Sequence, residues 1–252
     1  MTMTTATLTL PPELRKALSA LRFSVAPEAL QHFLAEATRR RQSPLQVLEQ
    51  LVALEQTCRD HRNLERRARL ASLGRFTALA DLDWAHFKKF DRALYDQLLT
   101  LAFLRSGDNI LLRGPSGVGK TTLAKNLCHQ ALLQGHTVHF CTLAACLADL
   151  LRQESLPALE RRLRRYTAPQ LLVIDELGYL PCDQRSADLL FHIVSRRHEQ
   201  RSLLITTNLP FKDWGALFPG AACVAALVDR FVQHCHVLDI HAPSWRQRDA
   251  RS

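Results

Sequence analysis

The sequence predicts an α/β fold, a central parallel sheet flanked by helices, preceded by a small all-helical N-terminal domain. Three observations carry that expectation. Five short apolar runs alternate with helical stretches between Asn109 and Ile240. A complete G-x-x-x-x-G-K-[ST] match stands between the first of those runs and a helix. From Pro11 to Gly74 there is neither strand-like alternation nor an interrupting glycine. The 252 residues suit one large domain with a small appendage, divided here as 1–75 and 76–252.

Prolines mark the first helices. Pro11 and Pro12 open one over Glu13–Arg22, and Pro27 opens another over Glu28–Arg41. Ser43 before Pro44 is an N-cap followed by proline at the first helical position. Leu45, Leu48, Leu51, Val52 and Leu54 keep a helical period behind it. From Glu13 to Arg75 this region sets twelve Arg and Lys against seven Asp and Glu, most of the excess being arginine. Either a solvated helical face or a surface that grips phosphate fits those charges. The whole chain carries a net charge of +9, which favours a polyanionic partner, nucleic acid above all.

A linker and an amphipathic helix (Asp91–Leu104) lead into the strand region. The expected strands are Asn109–Arg113, Thr137–Cys141, Leu171–Asp175, Ser202–Thr206 and Cys235–Ile240. Seven cysteines without a C-x-x-C pair read as reduced core residues of a cytoplasmic protein, and His234–Cys235–His236 lacks a second pair at zinc-ligand spacing. No apolar run approaches the ~18 residues of a membrane span, and the N-terminus does not read as a secretory signal.

The chemistry concentrates at strand ends. Gly114, Pro115, Ser116, Gly117, Val118, Gly119, Lys120 and Thr121 form a phosphate loop, with Thr122 next to them in the following helix. Glycines let backbone N–H groups close on phosphate, and the helix N-terminus faces the anion. Lys120 reaches the outer phosphates of ATP and Thr121 offers a hydroxyl to Mg²⁺. Leu171–Ile174 is a strand buried on both faces, ending in Asp175 and Glu176. Asp175 at that end suits Mg²⁺, and Glu176 suits polarisation of an attacking water. Leu203–Thr207 is another buried strand, ending at Asn208. That residue suits either a place between phosphate and water or a simple turn. Arg230 and Arg246 follow late in the chain. The helix Leu156–Tyr166 adds Arg161, Arg162, Arg164 and Arg165, read as facing DNA over a solvated face.

In order and spacing, Gly114–Thr121, Asp175–Glu176 and Asn208 resemble the AAA+ ATPases. The phrases NILLRGPSGVGKTTLAKNLCHQALLQGHTVHF (Asn109–Phe140), LLVIDELGYLP (Leu171–Pro181), ADLLFHIVSRRHEQRSLLITTNLPFKDWGALFPG (Ala187–Gly220) and LVDRFVQHCHVLDI (Leu227–Ile240) resemble the IstB branch. That branch comprises ATPase helpers of insertion-sequence transposases and is similar to DnaC-type helicase loaders. The resemblance is good from Phe76 onward and looser over Ser43–Ala71.

The resemblance implies that Thr121 and Asp175 hold Mg²⁺ and that Glu176 is the catalytic base. It makes Asn208 the sensor-1 residue, Arg230 an arginine finger given to the next subunit, and Arg246 of Ser244-Trp245-Arg246 the sensor-2 arginine. Two departures stand out. Thr121-Thr122 follows the lysine where the family usually has His or Thr-His, and His241-Ala242-Pro243 replaces the glycine that commonly precedes Ser-Tyr-Arg. The implied function is an ATP-dependent homo-oligomer that binds double-stranded DNA without sequence preference and works with the transposase of its own element. The nearest alternative is a helicase loader. A metabolic phosphotransferase would need a lid-like substrate domain, and a non-hydrolysing scaffold would not need Glu176 or Arg230.

Overall fold

The computed structural model describes residues 9–179 and 182–245. Two compact units divide at Arg66/Arg67, a point that falls inside a continuous helix. In the first unit, α1 (Pro12–Ala20) and α2 (Pro27–Arg39) begin at the prolines that predict them. α3 (Pro44–Ala71) begins behind Ser43. The Ser43 Oγ accepts from the Gln46 amide at 3.3 Å, and Gln46 Oε1 accepts from the Ser43 amide at 2.9 Å. This reciprocal box satisfies donors that a helix start leaves open.

Leu10, Val25 and Leu30 form the unit's small core, with Phe23, Phe33, Leu51 and Leu54 against them. One charge organises it. Buried Glu55 accepts from the amides of Ser24 (2.8 and 2.7 Å) and Val25 (3.0 Å), and from Arg59 Nε at 2.5 Å. Burial pushes the Glu55 carboxyl up, but Arg59 and the two amides outweigh it and hold the group below its ordinary value.

The second unit begins with the end of α3 and an irregular stretch, then α4 (Arg92–Leu99) and α5 (Phe103–Ser106). The single helix expected over Asp91–Leu104 is broken: Leu101 takes a left-handed φ of 63° and is buried. Tyr95 fixes α4 by donating its hydroxyl to the Leu123 carbonyl at 3.0 Å.

There follow β1 (Asn109–Arg113), α6 (Lys120–Leu133), β2 (Val138–Thr142), α7 (Leu143–Leu151), α8 (Leu156–Thr167), β3 (Leu171–Leu177), α9 (Gln184–Arg197), β4 (Ser202–Thr207), α10 (Trp214–Leu217), α11 (Val224–Val232) and β5 (Cys235–Asp239). The strands pair in parallel in the order β2-β3-β4-β1-β5. Each expected strand is present within one or two residues of its expected ends. Ile110, Leu111, Leu112, Leu171–Ile174 and Leu203–Ile205 are essentially without solvent exposure, as a sheet covered on both faces requires. Each such side chain contributes roughly 1.5–3 kcal/mol of burial free energy. Because all five strands run the same way, β1, β3 and β4 deliver their C-terminal ends to one edge. Among the described residues no helix is long and apolar enough to cross a membrane.

Candidate nucleotide site

The edge where those strands end carries the phosphate loop, running from β1 into α6. Gly117 sits at φ 80° and Gly119 at φ 99°, a left-handed backbone that side chains rarely adopt. A Cβ on Gly117 would stand 2.2 Å from Ser244 Oγ, so only glycine fits there. Lys120 is buried at the helix start and donates to the carbonyls of Gly114 and Pro115, both at 2.7 Å. Its ammonium therefore rests on the loop it would leave to reach phosphate.

Across from the loop, Asp175 is 3% exposed. Thr121 Oγ1 donates to it at 3.1 and 3.0 Å, and Thr206 Oγ1 donates to its Oδ1. The Thr206 hydroxyl also accepts the Glu176 amide at 3.0 Å. β3 runs two residues past its expected end, through an irregularity in its pairing with β4 between Ile174 and Leu177. At that irregularity Glu176 takes φ 65°, which leaves its side chain exposed on the wall of the cavity.

The cavity holds about 500 Å³, with Lys120, Thr121, Thr122, Glu176, Tyr179 and Trp245 on its walls. Such a volume suits a mononucleotide. Its donor set at Thr121 and Asp175 is oxygen only, which suits a hard divalent cation that keeps most of its waters.

The structure brings Gly114–Thr122, Asp175 and Glu176 to one place. Asn208 is exposed beside Gly178, its Oδ1 3.1 Å from where a Cβ on that glycine would lie. Arg230 is elsewhere. It lies on α11 against α9, with its guanidinium 4.8 Å over the Phe191 ring and a hydrogen bond to Ser195 Oγ. Arg246 lies outside the described residues.

Several wall residues escaped the sequence reading. Thr206 orders Asp175 and Glu176 together, and its signal was a polar end to a buried strand. Tyr179 hydrogen-bonds Ser116 across the cavity mouth at 2.9 Å. The stretch taken for a linker supplies Thr77, Asp81 and Asp83 to the same walls. It is fixed by packed rings: Trp84, Phe87, Phe90 and Tyr95 lie 5.2–6.0 Å apart, and Arg92 covers Trp84 at 3.3 Å.

After β5 the chain straps back over the loop. Trp245 donates its amide to the Gly117 carbonyl at 3.0 Å, and its ring stacks on His86 at 3.8 Å. His86 Nε2 meets the Pro243 carbonyl at 2.9 Å.

Sheet order, loop and acidic strand end together define an ATP-binding P-loop protein of AAA+ architecture. The crystal structure of DnaI shares this fold with a TM-score of 0.54 at 17% identity, covering 67% of this chain and 89% of that one. That of the DnaC helicase loader does so with a TM-score of 0.50 at 18% identity, covering 68% and 97%. Residues 16–252 match the family described as IstB-like ATP binding protein, and the chain belongs to that family. It is 32% identical over 239 residues to an insertion sequence IS21 ATP-binding protein of Pseudomonas aeruginosa, covering 95% of this chain and 90% of that relative.

Proposed function

We propose that this protein is an Mg²⁺-dependent ATPase that oligomerises on double-stranded DNA and recruits or activates the transposase of its own insertion sequence. The observation that carries this reading is the full-length likeness to an insertion-sequence ATP-binding protein, combined with a phosphate loop that faces an acidic strand end across hydrogen bonds of 3.0–3.1 Å.

In this reading the Gly114–Thr122 backbone and Lys120 bind the phosphates of ATP, Lys120 giving up the Gly114 and Pro115 carbonyls to do so. Thr121 and Asp175 would hold Mg²⁺, which would supply neutralisation of phosphate charge when bound. Glu176 orients a water for attack on the terminal phosphorus, and Asn208 steadies that water. Arg230 acts on the site of the neighbouring subunit, which accords with its place on α11 away from its own cavity. Arg246 is assigned to the phosphates by resemblance alone. The exposed arginines of α1, α2 and α3 as far as Arg66 grip the DNA backbone, so binding weakens steeply with salt.

The test is a mixing experiment. Lys120→Ala and Arg230→Ala are each expected to lose ATP turnover in the presence of duplex DNA, and their mixture to recover part of it. No recovery removes the shared site. No turnover by the native protein, with or without DNA, removes the ATPase.

A further inference from the structure

At the opposite end of the sheet lies a second cavity, of about 600 Å³. It is built from the last turns of α3, the start of β2 and the end of α8, all within the second compact unit. Arg67, Arg69, Arg164 and Arg165 line it, together with the apolar surfaces of Leu70 and Val138. Among the described residues no carboxylate is on its walls. None of the four arginines makes an ion pair within 4.0 Å among the described residues. Their neighbour Arg162 differs: both its nitrogens are committed to Asp149, at 2.5 and 2.6 Å. Arg67 Nε is buried without a hydrogen-bond partner, and a buried guanidinium nitrogen left open is costly. Leu70 is 69% exposed, an uncovered leucine amid four unpaired cations.

We propose that this groove docks an acidic linear peptide segment of a partner protein, its carboxylates on the four arginines and an apolar side chain against Leu70. Guanidinium forks match carboxylates two bonds at a time. The apolar wall separates this occupant from a nucleic-acid backbone, because a phosphodiester gains nothing from leucine and valine. The shape agrees, since a concave site of this volume takes a few side chains.

The experiment is fluorescence anisotropy on the full-length protein with a short fluorescein-labelled peptide of Glu, Asp and Leu. A labelled DNA duplex serves as the second probe. The peptide is expected to bind, and the Arg164→Glu/Arg165→Glu double variant to weaken it by about tenfold or more. Leu70→Ser, a change on an exposed side chain, is expected to weaken it by several-fold while leaving ATP affinity unchanged. A peptide with every acid changed to its amide is expected not to bind.

The proposal is overturned if both variants bind the peptide like the native chain, or if the amide peptide binds equally. It is also overturned if only the duplex binds and charge reversal releases it, which would make the groove a nucleic-acid contact.

Discussion

The two ends of one parallel sheet handle buried charge differently: one sets the Asp175 carboxylate near the Lys120 ammonium, the other buries the Arg197 guanidinium without an ion pair among the described residues. At the C-terminal ends of the strands, Asp175 is buried under the hydroxyls of Thr121 and Thr206. At the N-terminal ends, Arg197 is 1% exposed and donates only to carbonyls. These are Tyr166 (2.9 Å), Thr167 (3.4 Å), Pro169 (2.9 Å), Gln170 (3.2 Å) and Ser202 (2.5 Å). The carbonyls take up both terminal nitrogens of Arg197 and leave its buried Nε without a partner, and dipoles do not cancel a net charge. One end therefore sets a buried carboxylate and the Lys120 ammonium beside a cradle of amides, which suits a metal-bound phosphate. The other stays positive from the buried Arg197 to the exposed Arg164 and Arg165. The same backbone thus offers two electrostatically distinct docking places, and ATP chemistry uses only one.

The most drastic way to break this contrast is to remove the buried cation. Burial pushes the Arg197 guanidinium down to about 9, with Arg201 nearby adding to the effect, so it is still charged at neutral pH. Arg197→Met deletes that charge and leaves carbonyls of the α8–β3 connection and of Ser202 without donors. Stability is expected to fall by roughly 3–5 kcal/mol, the cost of breaking a buried polar cluster on one side. Urea unfolding measures it. A loss under about 1 kcal/mol would mean that water replaces the guanidinium, and that the positive end owes little to Arg197.

A smaller effect is expected at the other end. Gly117→Ala forces a Cβ into a left-handed backbone and within 2.2 Å of Ser244 Oγ. The strap held by Trp245 must then lift or the loop must deform. ATP affinity is expected to fall by about tenfold, ~1.4 kcal/mol, with global stability changed by less. Isothermal titration with a non-hydrolysable ATP analogue measures it. If the further change Ser244→Gly restores part of the loss, the strap is the cause; if not, backbone strain at Gly117 is.

These two ends were unequally legible in the sequence. The phosphate loop, Asp175 and Glu176 declare themselves because backbone geometry, ligand charge and strand burial all constrain the same short stretch. Strand positions were legible for a related reason: a parallel strand buried on both faces reads as an unbroken apolar run. Thr206 was harder, since its role arises from the register of β3 against β4. The wall from Thr77 to Asp83 was hidden because rings at irregular spacing have no period and hold their segment by packing alone. The arginine groove was only half visible. The cluster on α8 stood out, yet its split into a paired Arg162 and unpaired Arg164 and Arg165 depends on Asp149, which lies on another helix. Arg230 stood out only through family resemblance, and its place on α11 keeps its role a matter for the mixing experiment.

The finest probe of the positive end is His139, on the buried edge strand β2. Burial holds its imidazole below the ordinary range, and the charge of Arg165 pushes the same way, as does Arg162 more weakly. The Leu70 backbone and Asp149 oppose them, and the Tyr166 ring lies at 5.4 Å. The folded protein therefore keeps His139 neutral where the unfolded chain, with an ordinary value of about 6.5, takes up a proton. Below that value the unfolded state binds more protons, so stability falls as pH falls and levels off once the folded group titrates too. Native protein is thus expected to lose stability as pH falls below about 7 through this group, and His139→Phe to lose less over the same fall. Paired urea titrations measure the difference. Arg165→Gln sharpens it: with that charge gone, the His139 resonance should titrate at higher pH in an NMR titration. If it does not move, burial alone sets the imidazole, and the positive field at this end of the sheet does not reach β2.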